Sequence, residues 1–570
     1  MPGSEAPQRL HSSNRAGDGG GWRAWRQRRK AKRAARSTLR KVLTRTGIGV
    51  VVLAVAVAGT GVGYYYYRTG EIHHLPSPHT VAAKGPTENI LLIGSTSRCA
   101  ASSIALYRQQ CAQGVTGVNS DVVLIAHLNG TTHTVSLLSI PRDTFAPGAR
   151  AGSALCGQTW SATPNLCPNK IDAALVEGPD QLIAAIEQDF GIPINHFVDL
   201  NFATFTNVVN ALGGLKMYFP DRLFDASSGL RITHTGCQLL NGTEALALVR
   251  SRHLYYFTKG ETPNYTAIQA ATTPTGPWYT SSSGGHYDGT GDLGRIVRVH
   301  LFLKALATQV AARGLGNPIT DNSLIGAVAP NLTVDNGFSS IDMAKLAFDF
   351  RHANLGTAPE LTLPTIIDGQ TYYYNGYSYG DVIFPAGPQD QQVVDQFLGT
   401  HPTSVAPSSI SVSVVDGTNS PSGTASVASS LGALGFHVVP TTAAHYVGPV
   451  AETVVLYNGT RHLAQAQQVE RALSGAVVLG QGVPAGGADV SVVTGSDLAV
   501  AAPPAHAATA APTSTSASGT AAAPGTTTPG TTTSSPATTT TAPSNPNLSA
   551  PQPATSPIPS WDPRSCPGVA

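Results

Sequence analysis

The chain has 570 residues, a formal net charge of +2, and charged residues at 12% of its length. A typical domain takes roughly 100 to 200 residues, so this length excludes a single compact body and leaves room for two or three domains with extensions. The small net charge conceals segregation. Arg23, Arg26, Arg28, Arg29, Lys30, Lys32, Arg33, Arg36, Arg40, Lys41 and Arg45 crowd residues 22–45, with no acid among them.

Residues 1–46 therefore read as a basic cytoplasmic segment, because residues 47–67 follow as an uncharged run rich in Val, Ala and Gly. About 21 residues cross a hydrocarbon core of about 30 Å as a helix. Backbone in lipid must satisfy its own hydrogen bonds, and the four tyrosines Tyr64 to Tyr67 suit the interface at the far end. The basic flank orients the span, so everything after Arg68 is expected outside the cell. A cleaved signal would have an apolar core of roughly 7 to 15 residues, shorter than this one. A basic run abutting a span is accounted for by topology and anionic headgroups without invoking nucleic acid.

After a stalk at 68–85, an α/β domain is expected over 86–400. Asn89–Gly94 (NILLIG), Asp121–Leu128 and Thr134–Ile140 read as strands buried on both faces. The last two are joined at Asn129-Gly130, a dipeptide that favours a tight hairpin. Leu182, Ile183, Ala185, Ile186 and Phe190 recur at helical spacing. Phe202–Leu212, Thr243–Val249 and Ile296–Val310 read likewise as helices, and Leu215–Phe219 as a strand. Strands alternating with helices predict a layered α/β/α fold on a mixed central sheet. Residues 255–290 break the pattern with Thr, Gly, Pro and aromatic residues, as a surface insertion would.

A linker at 401–407 precedes a smaller unit at 408–498 with a weak internal repeat. Ile410–Val415 is followed by Asp416-Gly417-Thr418 and a helix, and Thr453–Tyr457 by Asn458-Gly459-Thr460 and another, which predicts a small α/β domain. Residues 499–570, rich in Thr, Pro, Ala and Ser, are expected to be disordered. Six cysteines suit an exported chain. Cys99 with Cys111, and Cys156 with Cys167, are close pairs, whereas Cys237 and Cys566 have no evident partners.

Charged residues punctuate the ends of these elements. Pro141-Arg142-Asp143 closes a buried strand, and antiparallel pairing carries that end back to the start of the preceding one, so Asp121 and Arg142 should be neighbours. Asn169-Lys170, Arg250-Ser251-Arg252 and Asp292 to Arg298 stand at other element ends. Guanidinium groups bind phosphate oxygens through paired donors, and a carboxylate can hold magnesium, so the set suits a diphosphate. No Ser-His-Asp order, Cys-His zinc spacing or phosphate-loop lysine motif supports another enzyme class.

NILLIG followed by Ser97-Arg98, then Ser120-Asp121, Leu137–Asp143 (LLSIPRD), Asn169-Lys170-Ile171, Val249–Arg252 (VRSR) and Asp292–Arg298 stand in the order typical of the LytR-CpsA-Psr family. The chain resembles that family from about Pro86 to Arg313, and the repeat unit resembles its LytR-type C-terminal domain. The resemblance implies a phosphotransferase that moves a glycopolymer from a polyprenyl-diphosphate carrier in the membrane onto peptidoglycan. It implies catalytic roles for Asp121, Arg142 and Asp143, and diphosphate binding by Arg142, Lys170, Arg250, Arg252, Arg295 and Arg298. A channel for the polyprenyl tail would lie under the apolar helices. Magnesium is the implied cofactor, on Asp121 with Thr96. The sequence departs from the family pattern twice. Gly94-Ser95-Thr96 has Thr where the family commonly has Asp, and Val299 stands where Gln is usual. These departures keep a second reading in view, a non-catalytic binding or regulatory membrane protein.

Overall fold

The computed structural model describes residues 71–96, 118–149, 169–264, 285–313, 328–350, 358–374, 377–399, 405–418, 420–441, 451–501, 552–555 and 558–566, with a few short stretches elsewhere. Residues 1–70 and 71–570 form separate units. In the first, Trp25–Lys30 is helical and exposed, and of the expected span only Gly63, Tyr64, Tyr66 and Tyr67 are described, also helical. Among the described residues no helix is long and apolar enough to cross a membrane. The rest of that span, Ser97-Arg98, the two close cysteine pairs and the middle of the insertion (265–284) lie outside the described residues.

In the second unit, seven strands make a mixed sheet: β1 (His73–Leu75), β2 (Thr87–Ser95), β3 (Ser120–Asn129), β4 (Thr134–Ile140), β5 (His196–Asn201), β6 (Leu332–Asp335) and β7 (Glu360–Thr362), in the order β1-β6-β5-β2-β3-β4-β7. β3 runs antiparallel to both β2 and β4, while β5 lies parallel to β2 and β7 parallel to β4. The carboxyl ends of β2, β4 and β5 and the start of β3 therefore meet along one edge. The hairpin between β3 and β4 is looser than its Asn-Gly signal suggests. Asn129 pairs with Thr134 across Gly130 to His133, and its Oδ1 accepts from the Thr131 and Thr132 amides. An Asn side chain that mimics a backbone turn stabilises the longer loop.

Helix α1 (Pro179–Phe190) covers one face. It starts with Pro at its first position and stops at Gly191, whose φ of 68° suits glycine. Its Leu182, Ile183, Ile186 and Phe190 pack with Leu91, Ile93, Val123, Ile125, Leu138 and Ile140 of the sheet, each such side chain contributing roughly 1.5–3 kcal/mol when fully buried. The alternate residues face the other way, toward α2 (Phe202–Ala211), α3 (Gly242–Val249) and α4 (Gly291–Arg313). Asn201 caps α2 by accepting from the Ala203 and Thr204 amides, and Asn241 with Glu244 forms a capping box on α3. The long helix begins several residues before its predicted start at Ile296, with Asp292 in its first turn, a position that favours an acid.

The smaller unit has the predicted strand and helix halves, Ser411–Val415 with Pro421–Ala433 and Thr453–Tyr457 with Leu463–Glu470. Its sheet extends beyond these residues. A hairpin of the preceding region, Thr365–Tyr374 with Tyr377–Gly387, joins the same eight-stranded sheet, Ala386 and Gly387 pairing with Ala476 and Gly475 of Leu473–Gln481. Residues 401–407 thus do not separate two independent sheets. Of the expected tail, residues 502–548 lie outside the described residues; Leu498–Val500 pairs with Leu473–Gly475, and Ser549, Gln552, Ala554 and residues 558–566 contact the main domain, where Cys566 is bonded to Cys237. These described residues are held by backbone pairing and a disulfide, neither of which the composition reveals.

Candidate functional site

At the edge where β2, β4 and β5 end, charge gathers. Pro141 ends β4 and the chain turns, the Thr144 amide and hydroxyl both donating to the Pro141 carbonyl, so Arg142 and Asp143 project from the turn. The amide of Ile383 donates to the Asp143 carbonyl and pins that turn from the long hairpin. Asn169-Lys170 pairs with Phe145-Ala146, which sets Lys170 beside Asp143. Arg250 and Arg252 leave the end of α3, and Arg295 stands in the first turns of α4.

These side chains form an alternating lattice. Arg142 Nη1 donates to Asp121 Oδ1 at 2.6 Å, the adjacency that the antiparallel register requires. Asp121 also faces Arg250 and Arg295, each at 3.8 Å. Lys170 Nζ donates to Asp143 Oδ1 at 3.0 Å, while Arg142 and Arg252 approach its other oxygen at 3.5 Å. Asp292 links Arg252, at 3.4 Å, to Arg295, at 3.0 Å. Arg250 lies over the Phe202 ring at 4.6 Å, an attraction between cation and π face. Five cations thus face Asp121, Asp143 and Asp292.

Burial raises the pKa of Asp121, but Arg295, Arg142 and Arg250 outweigh it and hold the carboxyl below its usual value. Burial acts the same way on Asp143 and is likewise outweighed, by Arg142, Lys170 and Arg252. Arg295 is shifted down by desolvation. It is 2% exposed, and its Nε and Nη1 have no hydrogen-bond partner among the described residues. A buried guanidinium with spare donors is costly unless an anion meets it.

The structure does not group all of the predicted residues. Arg298 is wholly buried behind the site, donating to Asp288 at 3.0 Å, Asp562 at 3.1 Å and the Ser251 carbonyl at 3.0 Å. Thr96 is buried and its hydroxyl accepts the Asn119 amide at 3.1 Å. Among the described residues no three His, Cys, Asp or Glu come together as a cation cage. With Asp121 the one predicted carboxylate ligand, and that carboxylate bonded to Arg142, these residues do not fit a magnesium ion held by the protein alone, which prefers several oxygen ligands.

Two residues enter the site unannounced. Asp172, 4% exposed, accepts from Asn119 Nδ2 at 3.3 Å, and burial, aided by Asp143, pushes its pKa up to about 6. It follows Asn169-Lys170-Ile171 directly, so the motif that yields Lys170 contained the signal. Asp225 Oδ2 accepts from Ser251 Oγ and from the Arg252 and His253 amides at 2.7 to 2.9 Å, locking the turn that carries two arginines. It lies outside every motif.

Behind the lattice, between the sheet and helices α2, α3 and α4, is a cavity of about 100 Å³. Asp121 and Arg250 stand on its wall. The rest of its lining is apolar, including Leu92, Leu124, Phe205, Leu246, Val299 and Phe302. Val299, the departure from the usual Gln, is part of this apolar wall.

Comparison with known proteins follows the same division of the chain. The "LytR_cpsA_psr family" matches residues 67–260, and the family described as "LytR cell envelope-related transcriptional attenuator" matches 409–498. "Probable cell wall biosynthesis protein LcpB" of Corynebacterium glutamicum is 28% identical over 279 residues, 48% of this chain and 55% of that one. "Polyisoprenyl-teichoic acid--peptidoglycan teichoic acid transferase TagV" of Bacillus subtilis is 33% identical over 138 residues, 23% of this chain and 32% of the other. A solved "LytR-Csp2A-Psr enzyme from Actinomyces oris" aligns with a TM-score of 0.40 and 19% identity over 57% of this chain and 95% of its own. The chain spans about half the length of the corynebacterial relatives it matches.

Proposed function

Since the chain carries a LytR-CpsA-Psr domain followed by a LytR-type C-terminal domain, we propose that it is a phosphotransferase that moves a glycopolymer from a polyprenyl-diphosphate lipid onto peptidoglycan. One observation carries the reading: a cationic lattice with spare buried donors stands at an apolar cavity. A lipid diphosphate has that polarity, an anion joined to a hydrocarbon chain. The span expected at residues 47–67 would hold the site outside the cell, near such a donor.

In this reading Arg142, Lys170, Arg250, Arg252 and Arg295 hold the diphosphate, and the cavity takes the first part of the hydrocarbon. A peptidoglycan hydroxyl attacks the phosphorus that bears the glycopolymer. A new P–O bond forms, the bond to the bridging oxygen breaks, and polyprenyl monophosphate leaves. The arginines neutralise the charge that shifts onto this leaving group, the contribution that matters most in phosphoryl transfer. Asp121, ionised among three guanidinium groups, is a weak base. It orients the hydroxyl and takes its proton late, as the new bond makes that proton acidic. Asp143 holds Arg142, Lys170 and Arg252 in place. Magnesium, arriving with the donor, would neutralise phosphate charge, and Asp121 would be the carboxylate nearest to hold it.

The test is transfer from a short polyprenyl-diphosphate oligosaccharide to peptidoglycan fragments, with Arg142→Ala and Asp121→Ala beside the unaltered chain. A phosphodiester-linked product and released polyprenyl phosphate, both lost in the variants, support the reading. Tight binding of the lipid without turnover on any acceptor would favour the binding-protein reading, for which the position of Thr96 is the specific argument: its hydroxyl is already bonded to Asn119, and it supplies no second carboxylate.

A further inference from the structure

Residues 549–566 lie far along the chain from every motif, yet they touch the main domain at several places. The Ser549 and Gln552 amides donate to the Ile367 and Thr365 carbonyls, and the Ala554 carbonyl accepts from the Thr362 amide at the end of β7. Arg564-Ser565 then pairs with Tyr218-Met217, adding a third strand to the sheet of Leu215–Phe219 and Gly236–Leu240. Trp561 stacks flat on Tyr256, with ring centres 4.1 Å apart. Cys566 closes the contact as a disulfide with Cys237, 329 residues away in sequence. Such a bond holds the segment at high local concentration against its site.

Between Trp561 and the disulfide, Asp562 is wholly buried and accepts from Arg298 Nη1 at 3.1 Å. Arg298 has no exposure of its own. Its Nη1 also reaches Asp288, and its Nη2 donates to the Ser251 carbonyl. Ser251 sits between Arg250 and Arg252, in the turn that Asp225 holds from the other side. Arg298 is also one helical turn beyond Arg295. A single guanidinium therefore joins the returning segment to the turn and the helix that present three of the site's arginines.

We infer that residues 549–566 are an integral strap of this domain and that Asp562 is a positioning residue, setting through Arg298 the turn that presents Arg250 and Arg252. The charge balance supports this. Arg298 is buried with Asp288 and Asp562, and removing one partner of a buried ion leaves polar groups that must find others. The remaining partners of Arg298 are Asp288 and the Ser251 carbonyl, so the loss is transmitted to the turn that carries Arg250 and Arg252. The consequence for the donor site rests on its reading as a diphosphate site, while the strap itself does not.

The experiment uses the full chain in detergent, with hydrogen exchange and farnesyl diphosphate binding as readouts. Asp562→Asn keeps the shape and removes the charge. The expected result is about tenfold faster exchange of the Arg252 and His253 amides and about tenfold weaker binding, a fraction of what losing a buried charge partner can cost, because Asp288 still pairs with Arg298. Amides of β2 to β4 should be unaffected. Adding Arg298→Gln should change neither readout much further, because both residues act through one contact, and Asp562→Glu should restore part of the binding. Cys237→Ser with Cys566→Ser, which keeps Asp562 and frees the clasp, should shift both readouts the same way by less. Unchanged exchange and binding in Asp562→Asn, or exchange that rises evenly across the sheet, would overturn the inference. If farnesyl diphosphate fails to bind the unaltered chain while Asp562→Asn still speeds those two amides, the strap stands and the diphosphate reading falls.

Discussion

In the charged lattice, Asp121 and Asp143 are partly buried among guanidinium and ammonium groups that hold both carboxyls below their usual range. At the seam with the C-terminal region, Asp390, Glu452 and Glu470 are also buried, but burial prevails and pushes them up, Asp390 to about 6 and Glu452 to about 7. Asp390 and Glu470 bond to each other, and Glu452 accepts from the Tyr372 hydroxyl at 2.7 Å. The first arrangement keeps charge available and costs desolvation, which suits the binding of an anion. The second suppresses charge by sharing protons, which suits a contact meant to stay closed. The same residue types thus serve a site in one place and a joint in the other, and what differs is the sign of the neighbours.

The comparison is broken most severely at Arg142, the cation shared by both site carboxylates. Arg142→Ala should lower turnover roughly 100-fold or more, the scale of losing a group aimed at developing charge, as measured by release of polyprenyl phosphate. It should also raise the pKa values of Asp121 and Asp143, making the site resemble the seam. Filling the cavity separates lipid from headgroup. Leu303→Trp, on the cavity wall, should weaken farnesyl diphosphate roughly tenfold, since about two buried methylenes at about 0.8 kcal/mol each lose their place. Inorganic pyrophosphate, titrated beside it by calorimetry, should bind as before.

The seam answers to pH. A carboxyl whose folded pKa lies above its unfolded value contributes stability in full below the unfolded value and loses it as pH rises through the folded one. For Glu452 that window runs from 4.5 to about 7. Thermal unfolding should show a falling midpoint across it. Glu452→Gln should flatten that slope and be the more stable form at pH 8, by roughly 1–3 kcal/mol for a wholly buried group. A slope that persists unchanged in Glu452→Gln would place its origin elsewhere.

Much of this was open to reading from residue order. The adjacency of Asp121 and Arg142 follows from two alternating strands and a short turn, because antiparallel register leaves no other arrangement. The helices α1 to α3 carry apolar stripes and capping residues that fix their limits closely. Other features depend on partners remote in sequence. Arg298 shares a motif with Arg295, and its partners Asp288, Ser251 and Asp562, the last 264 residues away, show that it faces inward. The cavity was expected from the family resemblance alone, because a helix that walls a cavity has the same stripe as one that packs tightly. The strap was hidden by composition: a few residues such as Trp561, Asp562 and Cys566 stand in a stretch dominated by Pro, Ser and Ala.

Asp172 lies between the two regimes compared above and gives the smallest expected effect. It stands among the site's cations, yet burial and the Asp143 charge push its pKa up to about 6. Below that pH it is neutral, and five cations face three carboxylates, a surplus of two positive charges. Above it a fourth carboxylate ionises and the surplus falls to one. A diphosphate diester has no ionisation of its own near that pH, so its affinity should rise a few-fold as pH falls from 7 to 5, roughly the effect of one partly screened charge. Asp172→Asn should bind at pH 7 as the unaltered chain binds at pH 5, and lose the pH dependence. If the variant keeps the full dependence, the titrating group is another, and Asp172 serves the site through its hydrogen bond with Asn119 rather than through its charge.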